Sequence, residues 1–381
     1  MNLALPRFAE FFAGAGMVRA GLGDQWDLAL ANDIDTKKCR AYAANWGTAG
    51  LVQGDIVHLD PRLLSQPIDL YWASSPCQDL SLAGNRQGLA GVRSGVFHAW
   101  MEKVRIARAA GYAPKLLAFE NVTGLLSSGG GRDFQDVLRS FLACGYRYGV
   151  LEIDARHFLP HSRPRVFAVA VRADLDLSPV LTSGRASSGF HTRRVQAAVE
   201  RLPTDLRKNW IWWNVDEPGG RIPSLTSVVD VGLSDSGLAV NVDRLLSIMD
   251  PVNRLKVDKA IASGKVHLGT VYKRGRPDAN GVVRQRAEIR FDGIAGCLRT
   301  PAGGSSRQTI VVVRDGKISA RLLSSREAAR LMGLPESYLL PDAYNDAYKL
   351  SGDGVAVPVV RFLRDQLFDP ILSSERSRMA A

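Results

Sequence analysis

Residues 1–172 alternate short apolar runs with helix-length amphipathic stretches, and that alternation narrows the fold more than any other property of the chain. Strand candidates are Arg7–Phe12, Trp26–Ala31, Ile68–Trp72, Lys115–Phe119, Tyr148–Ile153 and Val166–Val171. Between them, Phe97, Trp100, Met101 and Val104 mark one helix. Phe134, Val137, Leu138, Phe141 and Leu142 mark another, with the i, i+3, i+4, i+7, i+8 spacing of a core-facing stripe. Strands separated by helices of this length predict an α/β fold with a mostly parallel sheet covered on both faces. Ligands of such sheets bind outside the carboxyl ends of the strands.

From about Ala173 the pattern changes. Ser178-Pro179 and Ser183-Gly184-Arg185-Ala186-Ser187-Ser188-Gly189 read as a loop or linker, and residues 190–310 as irregular, basic and glycine-rich chain. Trp210-Ile211-Trp212-Trp213 before Pro218-Gly219-Gly220 reads as a packed hinge; a stacking platform for bases is the other use of such a cluster. Ser324-x-x-Glu327 has the form of a capping box, opening a helix that Gly333 and Pro335 close. A length of 381 residues is enough for two domains.

Cys39, Cys77, Cys144 and Cys297 are far apart, with no C-x-x-C pair. Neither a disulfide framework nor a structural metal site is expected, and a reducing cytoplasm fits. No run reaches the ~18–20 apolar residues of a membrane span, and the N-terminus lacks the pattern of a secretory signal. The formal net charge is +11, and its placement matters more than its size. Between Asn241 and Ile310 stand 13 Lys and Arg against 6 Asp and Glu, densest around Lys273, Arg274, Arg276, Arg284, Arg286 and Arg290. A solvated basic face is the plain reading; a surface that tracks phosphates of a nucleic acid is the one favoured here.

Several segments at predicted strand ends carry chemistry. Ser75-Pro76-Cys77-Gln78 sets a cysteine behind a proline on a stiff loop, where a thiolate can meet a substrate, although a lone cysteine is more commonly a small buried hydrophobe. Phe12-Ala13-Gly14-Ala15-Gly16 ends the first strand, with Gly21 further on. Its glycines let the backbone approach a ligand, but the spacing is not that of a pyrophosphate cradle. Asp33-Ile34 ends the second strand and Asp55-Ile56 follows the third. These are carboxylates suited to ribose hydroxyls and to an adenine edge, or else plain turn caps. Glu120-Asn121-Val122 ends an apolar strand, where desolvation would raise a carboxylate's pKa and let it donate to a base; pairing with an arginine is the structural alternative, and both can hold together. Arg163 and Arg165, two apart in extended chain, point the same way: one can reach the site while the other braces the loop.

Read in order, Phe12-Ala13-Gly14-Ala15-Gly16, Ser75-Pro76-Cys77-Gln78, Glu120-Asn121-Val122 and Arg163-Pro164-Arg165-Val166 resemble the motif series of DNA (cytosine-5) methyltransferases. The Cys77 loop continues the match through Leu80-Ser81-x-x-Gly84 and Gly91-x-Arg93. Arg321-Leu322 through Gly333-Leu334-Pro335 and Gly352-Asp353-Gly354-Val355 resemble the last two blocks. The resemblance implies a Rossmann-like catalytic and cofactor domain over 1–175, a smaller target-recognition domain with a hinge over 176–318, and a return to the catalytic domain over 319–381. It implies transfer of a methyl group from S-adenosyl-L-methionine to C5 of a cytosine flipped out of a specific sequence in duplex DNA, through a covalent bond from Cys77 to C6. Glu120 would hold N3 and the exocyclic amine, and Arg165 the O2, with Arg163 completing the catalytic set. Phe12, Ala13, Gly14, Gly16, Met17, Asp33, Ile34, Asp55, Ile56, Pro76, Val96, Asp353 and Val355 would surround the cofactor. Gln78, Ser81, Arg93, Lys273, Arg274, Arg276, Arg284, Arg286 and Arg299 would meet DNA.

Two positions depart from the family pattern. His161 stands where Gln is usual, and Asp353 where Asn is usual, which either brings a negative charge toward the cofactor and Cys77 or is a tolerated swap. A cytosine-5 methyltransferase acting on RNA is a rival reading, but Gly296-Cys297-Leu298-Arg299-Thr300 does not match the Cys-Phe-Thr signature of that branch. A non-catalytic DNA-binding relative is a second rival; such proteins lose the nucleophile or the glutamate, and this chain keeps Cys77, Glu120 and Arg165. A small-molecule methyltransferase would have no use for the basic second domain. The length fits a bacterial modification enzyme, monomeric by family expectation, with a cognate restriction or defence-system partner left open.

Overall fold

The apolar runs of the first half form the strands expected of them, and these pair into a seven-stranded sheet of order β3-β2-β1-β4-β5-β7-β6. The computed structural model describes residues 4–75, 95–233, 236–278, 280–299 and 307–380. Contacts divide the chain into two units. One comprises Met1–Asp154, Pro164–Gly219 and Val357–Ala381, the other Ala155–Arg163 and Gly220–Ala356.

In the first unit, β1 (Arg7–Phe11), β2 (Asp27–Asp33), β3 (Leu51–Gln53), β4 (Leu70–Ala73) and β5 (Leu116–Val122) are parallel neighbours. β7 (Pro164–Arg172) lies antiparallel between β5 and β6 (Tyr146–Asp154). The helices α1 (Met17–Leu22), α2 (Thr36–Trp46), α3 (Gly95–Ala109) and α4 (Arg132–Ala143) fall between strands. Every residue of β4 is fully buried, and its alternation shows why. Tyr71 and Ala73 enter the core built by Phe97 and Trp100 of α3 and Phe134 and Phe141 of α4. Trp72 projects to the other face, where its ring stands 6.2 Å from those of Phe167 and Phe368. A strand covered on both sides has no use for polar residues, so its run reads as continuously apolar.

Gly21 serves packing. A Cβ there would stand 2.4 Å from the Val360 Cβ of the helix Val357–Leu363, so only glycine lets that helix lie against α1. Residues 173–219 add the short helices α5 (Arg193–Glu200) and α6 (Thr204–Arg207) and a two-residue pairing of β8 (Thr182–Ser183) with β9 (Trp212–Trp213). Trp213 is fully buried, and the Trp210 ring meets those of Phe134 and Tyr148 at 6.3 Å each. This tryptophan cluster is core.

The second unit is more regular than its composition predicts. After α7 (Leu225–Val228), α8 (Val242–Ser247) and α9 (Pro251–Ala262), four antiparallel strands form a sheet of order β11-β10-β12-β13. They are β10 (His267–Pro277), β11 (Val283–Arg290), β12 (Thr309–Arg314) and β13 (Lys317–Leu322). Glycines and arginines mask a period-two pattern in which Val271, Ala287, Ile289, Val311 and Val313 pack against Leu245, Met249, Val257 and Ala260. The capping box at Ser324 and Glu327 makes both of its bonds and opens α10 (Ser325–Arg330), ahead of α11 (Tyr344–Asp353). Among the described residues no helix is long and apolar enough to cross a membrane.

One residue of the central strand breaks its apolar run. Glu10 is buried; its Oε1 accepts the Val18 N–H at 3.3 Å, while Oε2 meets no donor among the described residues. Burial pushes its pKa from the ordinary 4.5 to about 8, and the charge of Asp33 adds to that, against the opposing pull of the Val18 and Arg19 amides. Glu10 is therefore neutral in the folded protein at pH 7 and ionised in the unfolded chain. Its linkage makes stability fall as pH rises from about 4.5 to about 8 and level off above. Urea unfolding at pH 5 and pH 8 should show this slope flattened in Glu10→Gln, with the variant favoured at pH 8 by about 3–5 kcal/mol relative to pH 5.

Candidate active site

The strand order places a topological switch at β1, whose neighbours β2 and β4 lie on opposite sides, and of the predicted cofactor residues Phe12 to Gly16 follow the carboxyl end of β1 while Asp33 and Ile34 stand at that of β2. The chain leaves β1 through left-handed backbone at Phe12 (φ 57°), Gly14 (φ 57°) and Gly16 (φ 79°). For an aromatic residue such a φ costs about 1–2 kcal/mol, a strain that recurs where a backbone is shaped for a ligand. The two glycines have different reasons. A Cβ on Gly16 would stand 2.5 Å from Trp46 Nε1, whereas a Cβ on Gly14 would meet no atom within 4 Å. Among the described residues, the side of Gly14 is open space.

Asp33, at the end of β2, holds this turn. Its Oδ2 accepts from Gly14 N at 2.8 Å and its Oδ1 from Asp35 N at 2.8 Å. The buried Asn32 amide donates to the carbonyls of Val52 and Gly54, each at 3.0 Å, and so ties the end of β3 to β2. Asp55 follows, with Oδ1 accepting from Val57 N at 3.0 Å to cap a single helical turn, Ile56–His58. Ile34 is 66% exposed, an unusual setting for a large apolar side chain, while Ile56 is buried in the core. Met17 is buried at the start of α1 and Val96 half-buried at the start of α3. The exposed Ile34 face, the open side of Gly14 and the flanking carboxylates Asp33 and Asp55 suit a nucleoside that carries no phosphate.

At the carboxyl end of β5, Glu120 is buried and pairs with Arg165 of β7, whose Nε stands 3.1 Å from Glu120 Oε1. The arginine partner expected as one reading of this carboxylate is present, and it is compatible with the other, a role toward a base. Asn121 reaches the next strand over, where its Nδ2 donates to Ser75 Oγ at 3.5 Å; the Trp72 indole donates to Ser74 Oγ at 2.9 Å. The chain entering the cysteine loop is thereby fastened beside Glu120 and Arg165. Pro76, Cys77, Gln78, Ser81 and Arg93 lie outside the described residues.

Within the second unit Arg163 is a brace. Its Nη1 donates to the Leu298 carbonyl at 3.3 Å, and its Nη2 to the carbonyls of Gly352 and Gly354 at 3.0 and 2.6 Å. Asp353, between those two glycines, is exposed, and Val355 is buried. His161 is fully buried, with Nδ1 2.8 Å from the Leu331 carbonyl and Nε2 accepting the Leu298 N–H at 3.2 Å. These two partners assign a neutral ring with its proton on Nδ1. A glutamine offers the same pair of functions, an amide donor and a carbonyl acceptor, which accounts for the departure at this position.

The predicted DNA residues of the hairpin sort by face. Arg274 pairs across the strands with Arg286, and Arg276 with Arg284, so these four share one face with Tyr272 and Glu288. Lys273 points to the other face, where burial and the charge of Arg244 lower its pKa. Glu288 pairs with Arg274 and Arg276, at 3.5 and 2.9 Å, and Asp278 with Arg284 at 2.7 Å. Arg286 forms no ion pair among the described residues. The guanidinium groups of Arg299 and Arg274 stand 6.0 and 5.1 Å from the Tyr272 ring centre.

Sequence reasoning missed Glu10, Asn32 and Lys103. An acid inside Phe8-Ala9-Glu10-Phe11 and a lysine three residues after Trp100 on a core-facing stripe were the available signals. The His161 geometry is open to test. His161→Gln should unfold within about 1 kcal/mol of the parent, whereas His161→Ala leaves two buried backbone groups unpaired and should cost about 1–3 kcal/mol in denaturant unfolding.

The comparisons with known proteins agree with one another. A family model described as C-5 cytosine-specific DNA methylase matches residues 6–369. Over 370 residues the chain is 24% identical to the type II methyltransferase M.BsuFI of Bacillus subtilis, covering 97% of this chain and 74% of that protein. It is 25% identical to the type II methyltransferase M.HhaI of Haemophilus parahaemolyticus, covering 94% and 92%. The solved structure of the S. pombe Dnmt2 methyltransferase superposes with a TM-score of 0.60 at 18% identity, covering 97% and 99%, a likeness of fold.

Proposed function

The chain belongs to the C-5 cytosine-specific DNA methylase family, whose members use S-adenosylmethionine, and on that premise we propose a covalent, base-flipping mechanism carried by Cys77, Glu120 and Arg165. The observation that carries it is the Glu120–Arg165 pair on the strand rim, next to the Asn121–Ser75 bond that anchors the approach to Cys77. A cytosine inside a duplex keeps C5 and C6 stacked between its neighbours, so reaction at those atoms requires extrusion of the base.

Cys77 as thiolate adds to C6 of the extruded cytosine. Glu120 holds N3 and the exocyclic amine, and Arg165 holds O2 while keeping Glu120 in place, so the ring is polarised toward attack. S-Adenosylmethionine, when bound, would supply a methyl group on a sulfonium sulfur, its S–CH3 bond breaking as the bond to C5 forms, with S-adenosylhomocysteine as the leaving group. Loss of the C5 proton to a base then re-forms the double bond and expels the Cys77 sulfur, leaving 5-methylcytosine. The buried Cys39 and Cys144 are poor candidates for the nucleophile: burial pushes the Cys39 thiol up to about 11 and raises that of Cys144. Phe12, Gly14, Asp33, Ile34 and Asp55 would hold the adenosine half of the cofactor, with Ala13, Gly16, Met17, Ile56, Pro76, Val96, Asp353 and Val355 around it.

Target recognition falls to residues 176–318. The arginine face of the β10–β11 hairpin supports this: cross-strand arginine pairs repel each other and are tolerated where a polyanion is to be met. Arg93, Gln78, Ser81 and Arg299 would contact DNA from their own segments.

Methyl transfer from labelled S-adenosylmethionine to mixed-sequence duplex DNA, followed by base-resolution mapping, should place 5-methylcytosine in one short motif. Cys77→Ala should lower turnover at least ~10³-fold while retaining cofactor binding; transfer to RNA in preference to duplex DNA would overturn the substrate assignment. Arg286→Ala should weaken duplex binding by about 1 kcal/mol and reduce the log–log salt slope by about 1, read by titration across salt concentrations.

A further inference from the structure

Lys103 is a lysine in the wrong place for a solvated charge. It lies on α3 among Phe97, Trp100, Met101, Val104 and Ala107, all fully buried, and is itself only 5% exposed. A lysine on such a face desolvates its ammonium, and its pKa is lowered accordingly, with the charges of Glu102 and Asp55 opposing the loss. That cost is met by specific partners. Nζ donates to the carbonyls of Val57 at 3.0 Å and Leu59 at 3.4 Å.

Those two carbonyls frame the single helical turn that Asp55 opens. Within the turn, His58 N donates to the Asp55 carbonyl at 3.0 Å, Leu59 N to the Ile56 carbonyl at 3.2 Å, and Val57 N to Asp55 Oδ1 at 3.0 Å. The Val57 and Leu59 carbonyls take their bonds from Lys103. A turn of three residues with two backbone bonds has little rigidity of its own. The bonds from Asn32 hold it only on the β3 side, at Val52 and Gly54. On its other side the turn is held by the buried side chains of Ile56 and Leu59 and, at its carbonyls, by Lys103, which is anchored in a fully buried face of α3.

We propose that Lys103 is a positioning residue for adenine recognition, fixing the Asp55 turn so that the Asp55 carboxylate meets the exocyclic amine of the cofactor's adenine. This rests on the cofactor reading above and adds to it a residue that does not touch the ligand. Asp55 itself is exposed at the turn, with one oxygen committed to Val57 N; the direction of the other depends on how the turn is held.

The test is calorimetric titration of the full chain with two ligands, S-adenosylhomocysteine and S-inosylhomocysteine. The second carries a carbonyl oxygen where adenine carries the amine, so it removes the group that Asp55 is proposed to accept. The parent should bind the adenosyl ligand more tightly. Lys103→Met should weaken the adenosyl ligand about 10-fold and the inosyl ligand less than 2-fold, because the contact that Lys103 supports is absent from the second. Lys103→Arg, which keeps a donor for each carbonyl, should restore adenosyl binding to within about 3-fold of the parent. Lys103→Gln, which keeps an NH2 donor on a shorter, uncharged side chain, gives an intermediate loss and serves if the methionine variant does not fold. Equal losses for both ligands in a parent-like fold overturn the role of Lys103 and leave the cofactor site standing. A parent that binds the two ligands equally overturns the Asp55 assignment, and the proposal with it.

Discussion

Parallel pairing of β1 between β2 and β4 is the constraint from which the rest of the active site follows. The interior residues of β1 are buried, so the strand can deliver chemistry only where it ends. There the chain must turn sharply without breaking the pairing on either side. Left-handed backbone at Phe12, Gly14 and Gly16 accomplishes the turn, and Gly14 N–H bonded to the Asp33 carboxylate locks it to the neighbouring strand. β4 ends in register beside β5, which brings Ser74 and Ser75 next to Glu120 and Asn121. The glycine turn after β1 and the chain leading toward Cys77 thus issue from one rim because three parallel strands end together.

Buried polar groups do the fine positioning, and each is held by more than one bond. Asp33 accepts two backbone amides, Asn32 donates to two carbonyls, and Lys103 donates to two more. A buried polar group with partners on two elements acts as a staple, because releasing either element leaves it unsatisfied. Glu10 is the exception, with one oxygen unpartnered among the described residues, and its proton is what makes that burial tolerable. The second unit uses the same device at His161 and Arg163, which clasp Leu298 from two sides and tie it to Leu331, Gly352 and Gly354. Its exposed arginine face is held by different means. Glu288 and Asp278 absorb part of the repulsion among Arg274, Arg276 and Arg284, leaving a face that is ordered and still positive.

The apolar periods of the first half, the glycine turn, the acidic strand ends and the ordered motifs were all legible in the amino-acid sequence. Each is a local pattern: burial on two faces demands a continuous apolar run, and a tight turn demands glycine whatever surrounds it. What Gly21 and His161 do was not legible. Gly21 belongs to a helix contact with Val360, 339 positions away, and His161 to a pair of backbone groups at Leu298 and Leu331. The regular sheet of the second unit was hidden as well, because arginine and glycine in alternate positions obscure a period of two.

The sequence by itself determined the fold class, the family and the residue types available for chemistry, since those depend on spacing along the chain. Only the tertiary structure decided partners. It joined Arg165 to Glu120, turned Lys103 inward to the Asp55 turn, and divided Lys273 from the four arginines beside it in sequence. Hydrogen bonds and ion pairs act over about 3 Å of space, and residues tens to hundreds of positions apart reach that distance only once strand order and register have been fixed.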